Sequence, residues 1–220
     1  MLHIPLSKRC DSFCFNEIDN FKTYVYVIRG KEHTFVIDTF CGPEYMEEID
    51  KIMTLSAENT LVVNTHFHWD HIWGNCFFKD KIIIAHKSCH ALIKEQWQNM
   101  AAENAKHLTI KTKMYLPNLL FDNTLSFPED DIEIFYSPGH TKDCITIYDS
   151  KDNYLYVGDN MEKPKIFVES PDINSYIDTL RKYQKYHSDK IFAGHTLFLN
   201  NDDIEHTIVM LSEAKHPVFC

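Results

Sequence analysis

Glycine and proline are scarce, six and eight among 220 residues, which excludes a linker-rich, collagenous or low-complexity chain. The seven cysteines contain no CxxC pair, and their number is odd, so neither a structural zinc motif nor a paired disulfide framework is written here. Thiols at this density suit a reducing compartment. No apolar run approaches the length of a membrane span. The opening Met1-Leu2-His3-Ile4-Pro5 lacks the basic segment and apolar core of a secretory signal. The expectation is a cytoplasmic protein with no membrane partner. Positive charge is also short, with 22 Lys and Arg against 32 Asp and Glu and a net charge of -10. Nucleic-acid binding relies on Lys and Arg displacing counterions from phosphates, so no nucleic-acid partner is expected.

Hydrophobic residues make up 44% and aromatics 13% of the chain, enough for the core of one compact domain over residues 1–220. Tyr24–Ile28 and Thr34–Ile37 read as strands, followed by a helix from Gly42-Pro43 to about Leu55. Leu61–Val63 and Lys81–Ala85 read as strands, and Lys87–Lys106 as a long amphipathic helix. Pro117–Thr124 reads as a loop. Strands recur at Ile132–Phe135, Cys144–Tyr148, Tyr154–Val157 and Ile191–Phe192, with helices at Asn174–His187 and Asp202–Ala214. Strand-rich halves, each followed by helices, predict an α/β (α+β) protein built as a four-layer αββα sandwich.

Chemistry concentrates in Asn64-Thr65-His66-Phe67-His68-Trp69-Asp70-His71, directly after an apolar strand. Imidazole nitrogen and carboxylate oxygen are the donors that a borderline cation such as zinc takes. Alternating residues on a tight turn at a strand end can point into one cleft, with His66 and His68 on one side and Asp70 and His71 reaching a neighbouring position. Later strands end at Pro138-Gly139-His140, Gly158-Asp159 and Gly194-His195, and the early strand Thr34–Ile37 ends at Asp38. Alone, each of these is an ordinary turn or helix cap.

HxHxDH after a short apolar strand resembles the signature of the metallo-β-lactamase superfamily, and the later motifs follow in that family's order along nearly the whole chain. The resemblance implies one metal held by His66, His68 and His140, another by Asp70, His71 and His195, and Asp159 bridging them. It implies Asp38 as a residue orienting the ligands. Two divalent metal ions, zinc above all with iron or manganese as alternatives, would share and acidify a water, with Asp70 as its catalytic orienting and proton-handling group.

That chemistry points to a hydrolase of an ester, thioester, lactone or related bond in a small molecule. The alternatives are a β-lactam, a phosphodiester, or metal binding without catalysis. Glyoxalase II-like thioesterases share the ligand set but carry a helical C-terminal extension, whereas only a short helix follows His195 here. tRNA-processing nucleases share it but act on a polyanion. Zinc β-lactamases typically lack an aspartate where Asp159 stands. Small lactonases share the full set, and flavo-diiron members have glutamate in place of His68. Residues 87–123, with Trp97, Tyr115 and Phe121, are expected to cover the substrate. His86 and His90 are read as surface or core residues, and Trp69 and Trp73 as packing residues or pocket walls. The sequence leaves the oligomeric state open.

Overall fold

The computed structural model describes residues 1–18 and 21–213. A seven-stranded sheet runs in the order of its strands: β1 (Leu2–Pro5), β2 (Cys10–Ile18), β3 (Phe21–Arg29), β4 (Thr34–Ile37), β5 (Thr60–Val63), β6 (Ile82–His86) and β7 (Leu119–Phe121). Its first four strands pair antiparallel, and β4 to β7 pair parallel. Three helices interrupt it: α1 (Pro43–Met53), α2 (Trp69–Ile72) and α3 (Lys87–Glu103). The second sheet has β8 (Thr124–Phe127), β9 (Ile132–Tyr136), β10 (Ile145–Asp149), β11 (Tyr154–Tyr156) and β12 (Lys190–Phe192), in the order β12-β11-β10-β9-β8. Helix α4 (Ile173–Gln184) precedes β12, and α5 (Asn201–Glu213) follows it.

The period of two along each strand divides its side chains between two cores. Tyr24, Tyr26 and Ile28 of β3, Phe35 and Ile37 of β4, and Leu61 and Val63 of β5 meet Ile132, Ile134, Ile145, Ile147, Tyr156 and Phe192 between the sheets. Their alternates Val25, Val27, Val36 and Val62 turn outward onto Met46 and Ile49 of α1. On the far side, Phe135, Leu155 and Ile191 face Tyr176, Leu180 and Tyr183 of α4 and Ile204 and Leu211 of α5. Helix α3 docks Cys89, Ile93 and Met100 against Ala85, Ile72 and Trp73. Three apolar layers between four layers of structure make the αββα sandwich.

Local chemistry sets the helix ends. Pro43 opens α1, where its missing N–H costs nothing, and Thr54 closes it in the left-handed conformation at φ 56°. Asp172 caps α4 by accepting from Ser175 N at 3.0 Å. No described helix is long and apolar enough to cross a membrane.

The structure departs from the sequence expectation in several places. Residues 117–124, expected as a loop, contain β7 and the start of β8. Strands β1 and β2 were not foreseen, because β2 (Cys-Asp-Ser-Phe-Cys-Phe-Asn-Glu-Ile) mixes polar and apolar residues. Its Asp11 is buried because His3 Nε2 at 2.6 Å and Arg29 Nη1 at 2.5 Å pair with it. Helix α3 stops at Glu103, short of Lys106. The expected end of the last helix at Ala214 lies outside the described residues.

Phe192 is fully buried between the sheets, against the rings of Tyr26, Tyr154 and Tyr156. Phe192→Ala is expected to destabilise the protein by about 3–5 kcal/mol. Leu120→Ala, at a side chain 43% exposed, should cost under about 0.5 kcal/mol. Urea midpoints of both variants check the pair.

Candidate metal centre

Five strand ends meet at one edge of the sandwich. Parallel β4 and β5 end together, with Ile37 beside Val63, and deliver Asp38 and the Thr65–His71 turn. Strands β9, β11 and β12 run the same way within their sheet, and their ends deliver His140, Asp159 and His195. Cross-sheet hydrogen bonds close this edge: Ile145 N to Thr65 O at 2.9 Å and Tyr24 N to Gly194 O at 2.9 Å. Tyr26 Oη adds a third, donating to Ala193 O at 2.6 Å.

All seven residues that the motifs single out as ligands come together. His68 Nδ1 lies 3.1 Å from His66 Nε2 and 3.1 Å from His140 Nε2. Asp159 Oδ2 completes this group at 3.7 Å from His66 Nε2 and 3.9 Å from His140 Nε2. Asp70 Oδ2 lies 3.5 Å from His71 Nε2 and 3.3 Å from His195 Nε2, forming a second group. Asp159 stands between the groups, with Oδ1 3.4 Å from His71 Nε2 and Oδ2 3.3 Å from His195 Nε2. Within each group the candidate ligand atoms lie within 4.8 Å of one another.

The other nitrogen of every histidine faces an acceptor. His71 Nδ1 donates to Asp38 Oδ2 at 2.8 Å, His140 Nδ1 to Phe167 O at 2.7 Å, and His195 Nδ1 to Lys22 O at 2.9 Å. His66 Nδ1 donates to Thr65 Oγ1 at 3.1 Å, whose own proton goes to Asp38 Oδ2. His68 Nε2 faces Glu169 Oε1 at 3.2 Å. These bonds assign the tautomers and leave five imidazole lone pairs converging on one another and on two carboxylates. His71 Nε2 and Asp159 Oδ1 are buried with no hydrogen-bond partner. Converging lone pairs repel unless a cation lies between them, so the donor set fits divalent metal ions.

Asp38 holds this arrangement. It accepts from Thr65 N and Thr65 Oγ1, both at 2.7 Å, as well as from His71. It adopts φ 61°, a left-handed conformation that aspartate tolerates better than most residues. Gly158 at φ 55° and Gly194 are forced by close approach: a Cβ on Gly194 would lie 2.2 Å from Asp159 Oδ1.

Burial drives the metal-free titration of His66 and His140 downward, so both stay neutral. Burial also opposes charge on His71 and His195, but Asp159 and Asp70 beside them outweigh it and push both well above the ordinary range. Burial likewise works against the two carboxylates, yet the histidines hold Asp70 down to about 2 and Asp159 well below the usual range.

Sequence reasoning missed two acids. Glu169 faces His68, and Glu162 Oε1 lies 3.9 Å from His195 Nε2. Burial, then the charge of Asp159, raises the Glu162 carboxyl to about 8. The only sequence signal was that Glu162 stands three residues after Asp159. Both belong to segment 162–170, which also supplies Phe167 O to His140.

The remaining candidates take other places. His86 caps α3 and stacks on Tyr136 at 4.1 Å, and His90 donates to Pro117 O. Trp73 is fully buried. Trp69 lines a cavity of about 450 Å³ that opens on His68 and Asp70. Within residues 87–123 the lining comes from Leu92, Gln96, Asn99, Met100 and Glu103 on one face of α3 and from Asn104 just past its end. Trp97, Tyr115 and Phe121 pack into cores instead.

The family model of the metallo-beta-lactamase superfamily matches residues 18–195. The chain belongs to that superfamily. A hydroxyacylglutathione hydrolase of Francisella tularensis subsp. holarctica (strain FTNF002-00 / FTA) is 28% identical over 195 residues, covering 87% of this chain and 69% of the relative. The human acyl-coenzyme A thioesterase MBLAC2 is 22% identical over 159 residues, covering 61% of this chain and 57% of the relative. Among solved structures, DIM-1 metallo-beta-lactamase exposed to ceftazidime superposes with a TM-score of 0.78 at 17% identity, covering 97% of each chain. A metallo-beta-lactamase from Pontibacter korlensis gives a TM-score of 0.73 at 18% identity, covering 96% of this chain and 98% of that one. This metallo-beta-lactamase superfamily member is a metal-dependent hydrolase of small molecules.

Metal must displace the protons that His71 and His195 hold in the metal-free protein, whereas Asp70 and Asp159 are already ionised. Raised histidine pKa values mean that proton competition grows as pH falls. Against burial, Glu169 raises the His68 pKa as well, so loading the metal-free superfamily member near pH 7 should release about two to three protons per chain, with affinity rising as pH rises. Calorimetry in buffers of different ionisation enthalpy reads that number. Asp38→Ala, which frees His71 Nδ1 and Thr65, should weaken metal binding about 10–100-fold, measured by competition with a chromogenic chelator.

Proposed function

We propose that the protein is a dinuclear zinc hydrolase acting on a thioester or related ester or lactone of a small molecule. The observation that carries this reading is the convergence of five imidazole lone pairs and two carboxylates, with every second histidine nitrogen already bonded elsewhere. His66, His68 and His140 would hold one ion and Asp70, His71 and His195 the other, with Asp159 placed to serve both. Nitrogen and oxygen donors without a thiolate favour zinc, with iron and manganese as the alternatives. Bound there, two such ions would supply an acidified water at neutral pH and polarise the carbonyl under attack.

The chain's own groups do the rest. Asp70 Oδ2 sits between His71 and His195, and its low pKa keeps it ionised. It orients the attacking water and takes its proton. Asp38 and Glu169 fix the ring orientations of His71 and His68. A cysteine nucleophile is disfavoured, because burial pushes the Cys41, Cys89 and Cys144 thiols well up and keeps them protonated. Residues 1–220 form one catalytic unit, in which α3 covers the acyl half of the substrate from within residues 87–123.

Two relatives bear names of thioester hydrolases, which supports a thioester over a β-lactam. The -10 charge disfavours a nucleic-acid substrate.

The purified protein is expected to carry about two metals per chain. Among thioesters, lactones, phosphodiesters and a β-lactam, turnover should be highest on a thioester. Chelation should abolish it and zinc restore it. Asp159→Ala should lower metal content, whereas Asp70→Asn should lower kcat by about 10²-fold or more. Metal analysis and steady-state kinetics test both. Full metal content and activity in Asp159→Ala would sink the bridging assignment.

A further inference from the structure

Glu162 lies at the metal centre but belongs to none of the motifs that mark its ligands. Its side chain is 6% exposed, and its Oε1 lies 3.9 Å from His195 Nε2. Among the described residues it takes part in no hydrogen bond, and its one ion-pair contact is that histidine. The cavity beside it is lined by three lysines, yet none pairs with it. Lys163 Nζ goes instead to Asp203 Oδ1 at 2.6 Å. A carboxyl taken out of water without a partner loses its hydrogen bonds in either protonation state, so its burial calls for a compensating contact.

The chain fixes the group from both sides. Met161 before it is fully buried, and Lys163 N after it donates to Thr196 Oγ1 at 3.1 Å. Thr196 directly follows His195, so this bond ties the backbone beside Glu162 to the neighbour of the ligand it faces. His195 Nε2 thus meets three carboxylates: Asp70 Oδ2 and Asp159 Oδ2, each at 3.3 Å, and Glu162 Oε1 at 3.9 Å. The ligand atoms of Asp159, Glu162 and His195 lie within 4.8 Å of one another. Atoms bound to one ion at about 2.0–2.2 Å lie roughly 3–4.4 Å apart. Both distances to His195, 3.3 and 3.9 Å, fall in that range.

We infer that Glu162 is a further ligand of the ion between Asp159 and His195, and that its oxygen narrows the preference of that position for zinc over manganese. This rests on the two-ion reading above and separates the two positions by metal selectivity. With Asp159 counted in both, the His66 position offers three imidazoles and one carboxylate. The His195 position then offers two imidazoles and three carboxylates. Imidazole suits zinc, whereas carboxylate oxygen in a six-coordinate shell suits manganese. Zinc still binds both positions, because manganese stands below it in the general order of affinity. The extra carboxylate reduces that gap at one position only. On ligation Glu162 gives up the proton that burial keeps on it in the metal-free protein, one beyond those counted on the histidines.

Full-length, metal-free protein is loaded with one equivalent of zinc and then titrated with manganese(II). Free manganese is read by its electron paramagnetic resonance signal. The wild type should bind about one manganese per chain. In Glu162→Gln, which keeps the shape and removes the charge, manganese affinity should fall at least about tenfold. The first zinc equivalent should be held equally in both proteins. Zinc affinity at the second position, read by chelator competition, should fall by a smaller factor, so that the zinc-to-manganese ratio rises. Glu162→Ala, which leaves no oxygen, should raise the ratio at least as far.

A carboxylate that merely propped His195 would weaken both metals alike. An unmoved ratio in both variants would therefore overturn the inference. The unfolding midpoint of the metal-free protein should stay the same in Glu162→Gln, and a marked fall would make Glu162 a structural residue and overturn the inference too. Wild-type protein that takes up fewer than two ions would sink the two-ion reading and the inference with it, a failure seen before any variant is made.

Discussion

Five imidazole lone pairs and two carboxylates cannot be packed at 3–4 Å separations in a buried pocket without a positive charge among them. Around that constraint the whole site edge is arranged. Each histidine is turned inward by a hydrogen bond on its far side, and the acceptors come from four places: the Thr65–Asp38 pair, Glu169, and the carbonyls of Phe167 and Lys22. In the metal-free state protons on His71 and His195 stand in for the missing cations, which is why burial fails to neutralise them.

The sandwich supplies the rigidity that such a site needs. Ligands sit just past strand ends, where the chain leaves the hydrogen-bonded ladder and side chains can turn into the gap between the sheets. Parallel pairing of β4 with β5 and of β11 with β12 brings those ends level. The inter-sheet core of Tyr26, Tyr156 and Phe192 fills the space directly behind them. Tyr26 belongs both to this core and to the cross-sheet hydrogen bonds, so packing and site geometry depend on the same ring.

The HxHxDH segment was legible because its ligands are neighbours in sequence. His140, Asp159 and His195 were legible because each follows an apolar strand, and their order matched a known pattern. Glu162 and Glu169 were not legible. Their link to His195 and His68 exists only because segment 162–170 folds back over the strand ends. The pocket wall shows the same limit. The aromatic residues Trp97, Tyr115 and Phe121 stood out along the chain, yet they pack inward, and the α3 face that lines the cavity mixes amides, Leu92 and Met100. Strand β2 was hidden because Asp11 breaks its alternation, and only the distant His3 and Arg29 make that burial affordable.

The sequence by itself determined the alternation that builds two sheets, the glycines at Gly158 and Gly194 where a side chain would strike Thr65 or Asp159, and the identity of the donor atoms. These are local properties, set by side-chain period, backbone freedom and ligand chemistry. Tertiary structure alone decided which far-side acceptor fixes each imidazole and which acids join the site. It also decided that the cavity beside His68 and Asp70 is walled by one face of α3. Those features depend on distances between residues far apart in the chain, and such distances exist only once the two sheets have closed on each other.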